Sequence, residues 1–317
     1  MSDEMNAPAS PEAAGAGGPP PAPKRTAIVA IIGRPSAGKS TFLNTACGEK
    51  VSIVSPVPQT TRNAIRGIVN GSRGQLIFID TPGYHESEKK LNLRLRTITH
   101  DRLPESDCIL YLVDACREPG REEEIIAEML APVAARVVVG INKTDIATAK
   151  PAMIRLFLAT HLPSVGNERI FEISAEKDTN IDPLLIKLFD LAPTGEPLYP
   201  EEFYTDQDVD FRISEVIREK AMLNTREEIP HAVYVEIADL EMRRNGKELW
   251  VRAFLVVERE SQKSMVIGKG ASMIKRIREE AMRDLNKIFP YHIHLDLQVK
   301  VNKNWRQKDP ILGRLLK

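Results

Sequence analysis

Residues 33–41, Gly-Arg-Pro-Ser-Ala-Gly-Lys-Ser-Thr, combine glycine, lysine and serine in the spacing G-x-x-x-x-G-K-S. A β-branched apolar run ends just before them, and a helix is expected to follow. Strand, glycine loop and helix in that order form the context in which this pattern binds phosphate. Gly33 and Gly38 let backbone N–H groups converge on an anion, Lys39 can reach the β- and γ-phosphates, and Ser40 can ligate Mg²⁺. The residues predicted to border a nucleotide here are Gly33, Arg34, Pro35, Ser36, Ala37, Gly38, Lys39, Ser40 and Thr41.

A second polar group, Asp80-Thr81-Pro82-Gly83-Tyr84, ends the apolar run that begins at Gln75. An aspartate at the carboxyl end of a buried strand near a phosphate loop can hold Mg²⁺ directly or through water. The Gly83 N–H is then placed to meet a γ-phosphate. Such a turn sequence is common by itself. At about 40 residues after a phosphate loop, it indicates the metal and γ-phosphate side of one site, bordered by Asp80, Thr81, Pro82, Gly83 and Tyr84.

A third group, Asn142-Lys143-Thr144-Asp145, follows another apolar run and matches the pattern N-K-x-D. The Asp145 carboxylate can accept hydrogen bonds from the N1–H and N2–H₂ groups of guanine, a pair that adenine lacks. Because an unpaired buried carboxylate is costly, this contact should exclude ATP. Ser174 and Ala175, after the last strand of this region, are expected to direct backbone N–H groups at guanine O6. An aspartate alone could cap a helix, but after two phosphate motifs it favours guanine recognition.

The elements that must position these motifs alternate between strands and helices. Apolar runs at 28–32, 75–79, 108–113, 136–141 and 169–173 predict strands, and the patterns at 122–130, 152–161 and 184–191 predict helices. This order favours a mostly parallel sheet with helices on both faces and ligand loops at the carboxyl ends of the strands. All four motifs fall at such ends. Further strands are expected at 51–54 and 64–69, and a further helix at about 91–102.

The chain from residue 241 onward is basic, with 18 Lys and Arg against 9 Asp and Glu, although the whole chain has no formal net charge. It contains Gly268-Lys269-Gly270-Ala271 ahead of a basic helix expected at 272–287. The element order is helix, strand, strand, helix, strand. The last strand is expected at 292–301, where alternation places Ile293, Leu295, Leu297, Val299 and Val301 on one face. His292 and His294 lie on the other face and are expected to be in solvent and not to bind metal. Loop glycines let a nucleic-acid backbone approach closely, which indicates single-stranded RNA binding. A helix-capping turn on a solvated basic face is the alternative. The residues expected to meet RNA are Lys263, Gly268, Lys269, Gly270, Ala271, Lys275 and Arg276, with further charge from Arg278.

Composition fits a protein of two domains flanked by a tail. Residues 1–23 are rich in Pro, Ala and Gly and predict a disordered tail, because they cannot bury enough apolar surface to offset ordering entropy. We expect one domain at 24–193, a proline-punctuated linker at 194–202 and a second domain at 203–317. The three cysteines show no metal-ligand spacing and are interpreted as reduced core thiols. No apolar run reaches the ~20 residues of a membrane span, and no signal peptide is expected.

From Lys24 onward the sequence resembles the Era family of bacterial GTPases. The resemblance depends on GRPSAGKS, QTTR, DTPGYH, NKTD and ISA in that order, followed by MVIGKGASMIK. It implies an α/β P-loop GTPase domain with a mostly parallel sheet, followed by a smaller α+β type II KH domain that binds RNA. It also implies Mg²⁺-dependent GTP hydrolysis, GDP binding, and binding near the 3′ end of 16S ribosomal RNA, as a switch in 30S subunit biogenesis. Family members are cytoplasmic and partly peripheral at the inner membrane, and we expect a monomer.

The resemblance also assigns roles within the nucleotide site. Either Thr60 or Thr61 of the QTTR segment is the switch residue that closes on Mg²⁺ and the γ-phosphate, and we favour Thr61. The implied metal ligands are Ser40, Thr61 and Asp80, and the implied catalytic residues are Lys39, Thr61 and Gly83.

At three positions the sequence has features with consequences for these expectations. Ser36 stands where the family usually has Asn, a residue implicated in K⁺ binding, so the resemblance leaves potassium dependence open. Ala271 replaces the last glycine of the usual G-x-x-G loop, which changes how closely a nucleic-acid backbone can be clamped. Tyr84, as in the family, occupies the place where Ras-like proteins have a water-orienting Gln, so slow intrinsic hydrolysis is expected.

Other function classes make different predictions. A GTPase coupled to tRNA modification would need a catalytic cysteine or folate site outside the nucleotide domain, and no cysteine occurs after Cys116. An RNA scaffold that binds GTP only structurally would show no turnover with or without RNA. A membrane-remodelling GTPase would need a long amphipathic or spanning segment, which the sequence lacks.

Overall fold

The computed structural model describes residues 23–55, 65–80, 105–308 and 311. Within these ranges, six strands form one sheet and three form another. The strands of the first sheet are β1 (Arg25–Ile32), β2 (Ile65–Gly71), β3 (Gly74–Asp80), β4 (Cys108–Asp114), β5 (Val137–Asn142) and β6 (Ile170–Glu172). The helices of this region are α1 (Lys39–Cys47), α2 (Arg121–Leu130), α3 (Pro151–His161) and α4 (Ile181–Leu191).

The first sheet has the order β2-β3-β1-β4-β5-β6. β1 lies between β3 and β4 and runs parallel to both, and only β2 is antiparallel to its neighbour. The predicted mostly parallel sheet is confirmed. Because β1, β3, β5 and β6 are parallel, their carboxyl ends lie at one edge of the sheet, where all four sequence motifs begin.

Both faces of this sheet are covered by helices. Along β1, Val29 and Ile31 pack with side chains of α1 and α4, whereas Ala30 and Ile32 pack with side chains of α2 and α3. Strand side chains point alternately to the two faces, so a strand buried on both faces needs the continuous apolar run that β1 has. These two cores hold the carboxyl edge, and therefore the motifs, in place.

The prediction of a short strand at 51–54 is wrong. Residues 51–55 have no strand partner among the described residues, and side chains bind their backbone instead. The Asn44 Oδ1 atom accepts hydrogen bonds from the N–H groups of Val51 and Ser52, at 2.9 and 2.8 Å. A strand ladder would need these backbone donors, and the side-chain amide of Asn44 already binds them. The helix expected at 91–102 lies outside the described residues.

The second sheet has the order β7-β8-β9, with β7 antiparallel and β9 parallel to β8. Its region contains α5 (Val209–Asn224), α6 (Ile229–Ala232), β7 (Tyr234–Arg243), β8 (Glu248–Val257), α7 (Glu260–Ile267), α8 (Ser272–Ile288) and β9 (His292–Val301). The predicted helices and strands are all present, whereas the short helices α6 and α7 were not predicted. On β9, Ile293, Leu295 and Leu297 are buried in the core with α5 and α8, as the alternation predicted.

The segment between the two sheets is bonded along the first one. The Gln75 Oε1 atom accepts hydrogen bonds from the N–H groups of Leu198 and Tyr199, at 2.8 and 3.0 Å. The Thr26 N–H donates to the Pro193 carbonyl at 3.1 Å. Gln75 is fully buried, so this proline-rich stretch is held against β1 and β3.

Candidate nucleotide site and RNA-facing loop

The phosphate loop requires glycine at two positions. Gly38 precedes α1 with a φ of +94°, and a Cβ there would lie 2.2 Å from the Asn142 Nδ2 atom. A Cβ on Gly33 would lie 2.4 Å from the Leu112 carbonyl oxygen of β4. A side chain at either position would push the loop off the sheet edge. Gly38 makes no side-chain cap at the start of α1, and the N-terminus of a helix favours an anion.

Lys39 is buried at the start of α1. Its Nζ atom donates to the carbonyl oxygens of Gly33 and Arg34, at 3.1 and 3.0 Å, so the loop closes over the ammonium group. Burial lowers the pKa of Lys39 to about 8, and the nearby Asp80 carboxylate opposes this shift. Burial removes the water that would stabilise this ammonium group. The negative charge of a polyphosphate would stabilise it instead.

Hydroxyl and carboxylate oxygens meet beside this lysine. The Ser40 Oγ donates to the Asp80 Oδ2 atom at 2.7 Å, and the Ser52 Oγ donates to the same oxygen at 3.0 Å. Asp80 and Ser52 are both buried. Hard oxygen donors of this kind are the ligands that Mg²⁺ prefers. The residues therefore fit a magnesium ion, for which Ser40 and Asp80 are predicted ligands.

The Arg34 side chain is directed at α2. Its guanidinium contacts the Glu122 Oε2 atom at 2.7 Å and both carboxylate oxygens of Glu123, at 2.8 and 2.7 Å. Arg34 was predicted to border the nucleotide. Since its side chain is engaged by these two carboxylates, its backbone carbonyl, which accepts from Lys39, is the part that lines the loop.

Asn142 connects the phosphate loop to the two segments predicted to bind guanine, Asn142–Asp145 and Ser174-Ala175. Its Nδ2 atom donates to the Ala37 carbonyl at 2.9 Å, and its Oδ1 atom accepts from the Ala175 N–H at 3.0 Å. The side chain is almost fully buried, at 2% exposure. One amide therefore fixes the distance between the loop expected to hold phosphates and the loop expected to hold the base.

The rest of the N-K-x-D segment is held by its neighbours. The Lys143 Nζ atom lies 2.7 Å from the Asp114 Oδ2 atom at the end of β4, and the Thr144 N–H and hydroxyl both donate to the Ile173 carbonyl. Asp145 is solvent-exposed. Its carboxylate is thus available at the mouth of the site while the three residues before it are anchored.

The last motif differs in one respect from expectation. The Ser174 N–H donates to the Thr179 carbonyl at 3.1 Å, and the Ala175 N–H donates to Asn142. Both N–H groups already have acceptors inside the chain. Their predicted contact with guanine O6 therefore stays a prediction that would require these bonds to be shared or exchanged.

The predicted RNA loop projects from the second sheet region. Gly268, with φ +73°, ends α7, and Gly270 and Ala271 both have a φ of +59° before α8 begins at Ser272. Lys269, Gly270 and Ala271 are exposed. A left-handed conformation costs a residue with a Cβ about 1–2 kcal/mol, so Ala271 retains the backbone shape of a glycine loop at an energetic cost.

The lysine and arginine side chains predicted to lie around this loop differ in exposure and in their pairing with carboxylates. Lys275 and Arg276 lie at the start of α8 and pair with Glu279 and Glu280, at 3.9 and 2.9 Å. Both lysine and arginine side chains remain about two-thirds exposed. Lys263 is half-buried on α7, and Arg278 is exposed. A polyanion would therefore meet Lys269 first and would compete with carboxylates for Lys275 and Arg276.

Across residues 23–55, 65–80, 105–308 and 311, no three His, Cys, Asp or Glu side chains form a metal-binding group, and the absence of a metal at His292 and His294 stays a prediction. In the same ranges, no helix is long and apolar enough to span a bilayer.

Two family models match the chain. Residues 28–143 match "50S ribosome-binding GTPase", and residues 228–306 match "KH domain". The first match reaches from β1 to β5 and includes the phosphate loop, and the second includes β7, β8, β9 and the loop between α7 and α8.

Relatives match over nearly the whole length. A GTPase Era from Treponema denticola is 62% identical over 288 residues, which cover 91% of this chain and 98% of that protein. A GTPase Era from Treponema pallidum is 47% identical over 310 residues, covering 92% and 97%. The chain belongs to the Era family of GTPases. It therefore has the P-loop GTPase domain followed by a KH domain that the sequence predicted.

Solved structures of the Era family have the same fold. Aquifex aeolicus Era, in a variant bound to GDP·AlF4⁻, is 35% identical, with a TM-score of 0.85, over 91% of this chain and 98% of its own. Era in complex with MgGDPNP and nucleotides 1506–1542 of 16S ribosomal RNA gives the same identity and TM-score, over 92% and 98%.

Several predicted residues lie outside the described part of this Era-family chain. They are Thr60, Thr61, Thr81, Pro82, Gly83 and Tyr84. Conversely, sequence motifs did not reveal Asn44, Ser52 or Glu219, all of which hold the segment beside Asp80. None of the three belongs to a nucleotide-binding pattern, and their partners lie far apart in the sequence or outside any motif.

Proposed function

We propose that this GTPase binds GTP and GDP with Mg²⁺ at the carboxyl edge of its first sheet and binds the 3′-terminal region of 16S ribosomal RNA through its KH domain. The observation that carries the proposal is the Asn142 side chain, which joins the phosphate loop to the guanine loops in one buried unit. The bound nucleotide and RNA of the matched Era complex support it. In this proposal the protein acts as a switch in 30S subunit biogenesis.

The nucleotide chemistry is assigned to a few side chains. Lys39 and the first N–H groups of α1 would stabilise charge on the transferring phosphoryl group. Ser40 and Asp80 would hold Mg²⁺, which would neutralise negative charge on the phosphates. Asp145 would select guanine. Thr61 and Gly83 remain the predicted partners of the γ-phosphate.

The switch would act through segments beside the γ-phosphate. GTP would order residues 56–62 and 83 to about 90, hydrolysis would release them, and the KH domain would be presented differently in the two states. Because the family places Tyr84 where Ras-like proteins have Gln, we expect slow intrinsic turnover that RNA or the 30S subunit modulates.

The RNA assignment depends on the loop that joins α7 to α8. Glycine-like backbone angles, an exposed Lys269 and the N-terminus of α8 together suit a phosphodiester backbone. Four properties stay predictions: cytoplasmic location, peripheral contact with the inner membrane, a monomeric state, and the effect of Ser36 on K⁺ dependence.

Two variants test the nucleotide assignment. Lys39→Ala should abolish nucleotide binding, and normal GTP affinity in that variant would contradict the site. Asp145→Asn should admit xanthine nucleotides, because the amide replaces the acceptor with a donor. Asp190→Asn, at an exposed aspartate paired with Arg73, is the matched control and should leave base preference unchanged. An unchanged preference for GTP in Asp145→Asn would remove Asp145 from the guanine site.

Single-turnover GTP hydrolysis with and without a 16S 3′-end oligonucleotide tests the RNA assignment. Stimulation by RNA that Lys269→Glu removes would connect the KH loop to the GTPase site. Lys287→Glu makes the same charge change in the last turn of α8 and should retain stimulation. Equal loss of stimulation in both variants would indicate that RNA responds to the overall positive charge of the KH domain and not to the loop. The absence of oligonucleotide binding to the unmodified protein would refute the RNA proposal, and the absence of GTP turnover would favour a scaffold.

A further inference from the structure

A carboxylate of the KH domain binds the backbone of the GTPase domain. The Val54 N–H, in the irregular segment 50–55 that follows α1, donates to the Glu219 Oε1 atom at 2.9 Å. Glu219 lies on α5 and is 3% exposed. The two residues are 165 positions apart in sequence, so only the packing of the two domains brings them together.

Cations and a second carboxylate surround Glu219. Its Oε2 atom lies 2.5 Å from the Lys50 Nζ and 3.1 Å from the Lys220 Nζ. Asp284 of α8 lies 3.3 Å from Lys50 and 2.5 Å from Lys220. Two cations and two anions thus balance in a largely buried cluster, which we call the interdomain cluster: Lys50, Glu219, Lys220 and Asp284. Such a buried carboxylate has little positional freedom, because each of its oxygens is already bonded.

The segment that Glu219 holds also contacts the candidate magnesium site. Ser52 lies two residues before Val54, is 1% exposed and donates to the Asp80 Oδ2 atom at 3.0 Å. Asn44 of α1 accepts from the Ser52 N–H and donates to the Ser52 carbonyl, both at 2.8 Å. Ser52 is therefore fixed from one side by α1 and, through Val54, from the other side by Glu219.

We propose that Glu219 is a positioning residue of the GTPase site, supplied by the KH domain. By accepting the Val54 N–H, it holds segment 50–55 so that Ser52 orients the Asp80 carboxylate. The GTPase domain alone would lack this acceptor, and any movement of α5 away from segment 50–55 would loosen Asp80. The inference rests on the Mg²⁺ role proposed for Asp80.

An ordinary interdomain ion pair would give a different pattern of mutational effects. If the cluster only joins two domains, charge matters and the backbone bond does not. If Glu219 positions the segment, the acceptor oxygen matters most. Glu219→Gln keeps an oxygen that can accept from Val54 but removes the charge, whereas Glu219→Ala removes both.

The first measurement is amide hydrogen exchange of segment 50–55 in the full-length, metal-free protein. Glu219→Ala should speed exchange at Val54 by about tenfold or more, whereas Glu219→Gln should stay within about threefold of the unmodified protein. Glu280→Ala is the matched control, because Glu280 on α8 bonds Arg276 and Asn224 within the KH domain. Unchanged exchange at Val54 in Glu219→Ala would overturn the proposal.

The second measurement is the Mg²⁺ concentration that half-maximally slows release of a fluorescent GDP analogue. Glu219→Ala should raise it by about tenfold, and Glu280→Ala should not. In a Ser52→Ala background, Glu219→Ala should add little, because the connection to Asp80 is already broken. Full additivity would overturn the proposal, as would equal effects of Glu219→Ala and Glu219→Gln.

Two further outcomes are distinguishable. If GDP release from the unmodified protein does not respond to Mg²⁺, the metal assignment of Asp80 fails and the inference fails with it, even where exchange at Val54 changes. If Glu219→Ala does not fold, Glu219→Asp is used, because its carboxylate is one methylene shorter and withdraws from the Val54 N–H. Exchange at Val54 as slow as in the unmodified protein would then overturn the proposal.

Discussion

Replacing Asn142 by alanine tests the central geometry of the nucleotide site. The substitution removes one donor and one acceptor at once and leaves the Ala37 carbonyl and the Ala175 N–H without their partner. Because Asn142 is 2% exposed, water reaches these groups poorly. The phosphate loop and the Ser174-Ala175 turn would then lose their fixed separation.

The magnitude follows from the two orphaned groups. A buried donor or acceptor left unsatisfied costs about 1–3 kcal/mol, so the free energy of unfolding should fall by roughly 2–6 kcal/mol. Nucleotide binding must rebuild the lost alignment. If about 2 kcal/mol of that cost falls on binding, the Kd for GTP rises roughly 30-fold, at about 1.4 kcal/mol per factor of ten. Urea unfolding and fluorescent-nucleotide titration measure the two effects separately.

Asn286 provides a matched control in the KH domain. It makes the same kind of bridge: its Nδ2 atom donates to the Met282 carbonyl and its Oδ1 atom accepts from the Ile293 N–H, both at 2.8 Å. Asn286→Ala should lower stability and leave GTP affinity unchanged. A GTP affinity in Asn142→Ala within threefold of the unmodified protein, or an equal loss in both variants, would refute the reasoning.

Three further predictions concern the same domain. Gly38→Ala should abolish GTP binding by titration, because a Cβ would lie 2.2 Å from the Asn142 Nδ2 atom in a left-handed backbone; retained binding would show that the loop can shift. Arg34→Ala should lower the free energy of unfolding by about 3 kcal/mol, because it removes the cation that pairs with the buried Glu123 carboxylate. A loss below about 1 kcal/mol, measured by urea unfolding, would contradict this. Burial raises the pKa of the Cys47 thiol to about 12, so the reactive thiolate is scarce at pH 8. Iodoacetamide should therefore label Cys47 slowly up to about pH 9 and quickly in urea, and fast labelling of the native protein would contradict the burial.

Much of the fold could be predicted because its signals are local. The continuous apolar run before Gly33 predicts a strand buried on both faces, and the alternation at 292–301 predicts a strand buried on one. Both were confirmed. The short strand expected at 51–54 was wrong because the side chain of Asn44 binds the backbone donors of that segment, and the residue types at 51–54 do not show this.

The sequence by itself determined the chemistry of the site. G-x-x-x-x-G-K-S and N-K-x-D place their functional groups within a few consecutive residues, so spacing along the chain is enough to bring them to one ligand. Because the carboxyl ends of parallel strands lie at the same edge of a sheet, the separate motifs come together there. These features follow from short-range geometry, which a sequence displays directly.

The tertiary structure alone decided how that site is held and which domain holds it. Asn142 bridges to Ala37 over 105 positions, and Glu219 reaches Val54 over 165. Nothing in the residue types of an asparagine or a glutamate specifies a partner so distant. A buried polar group needs a hydrogen-bond partner. Which group becomes that partner depends on how the cores pack and not on the local sequence.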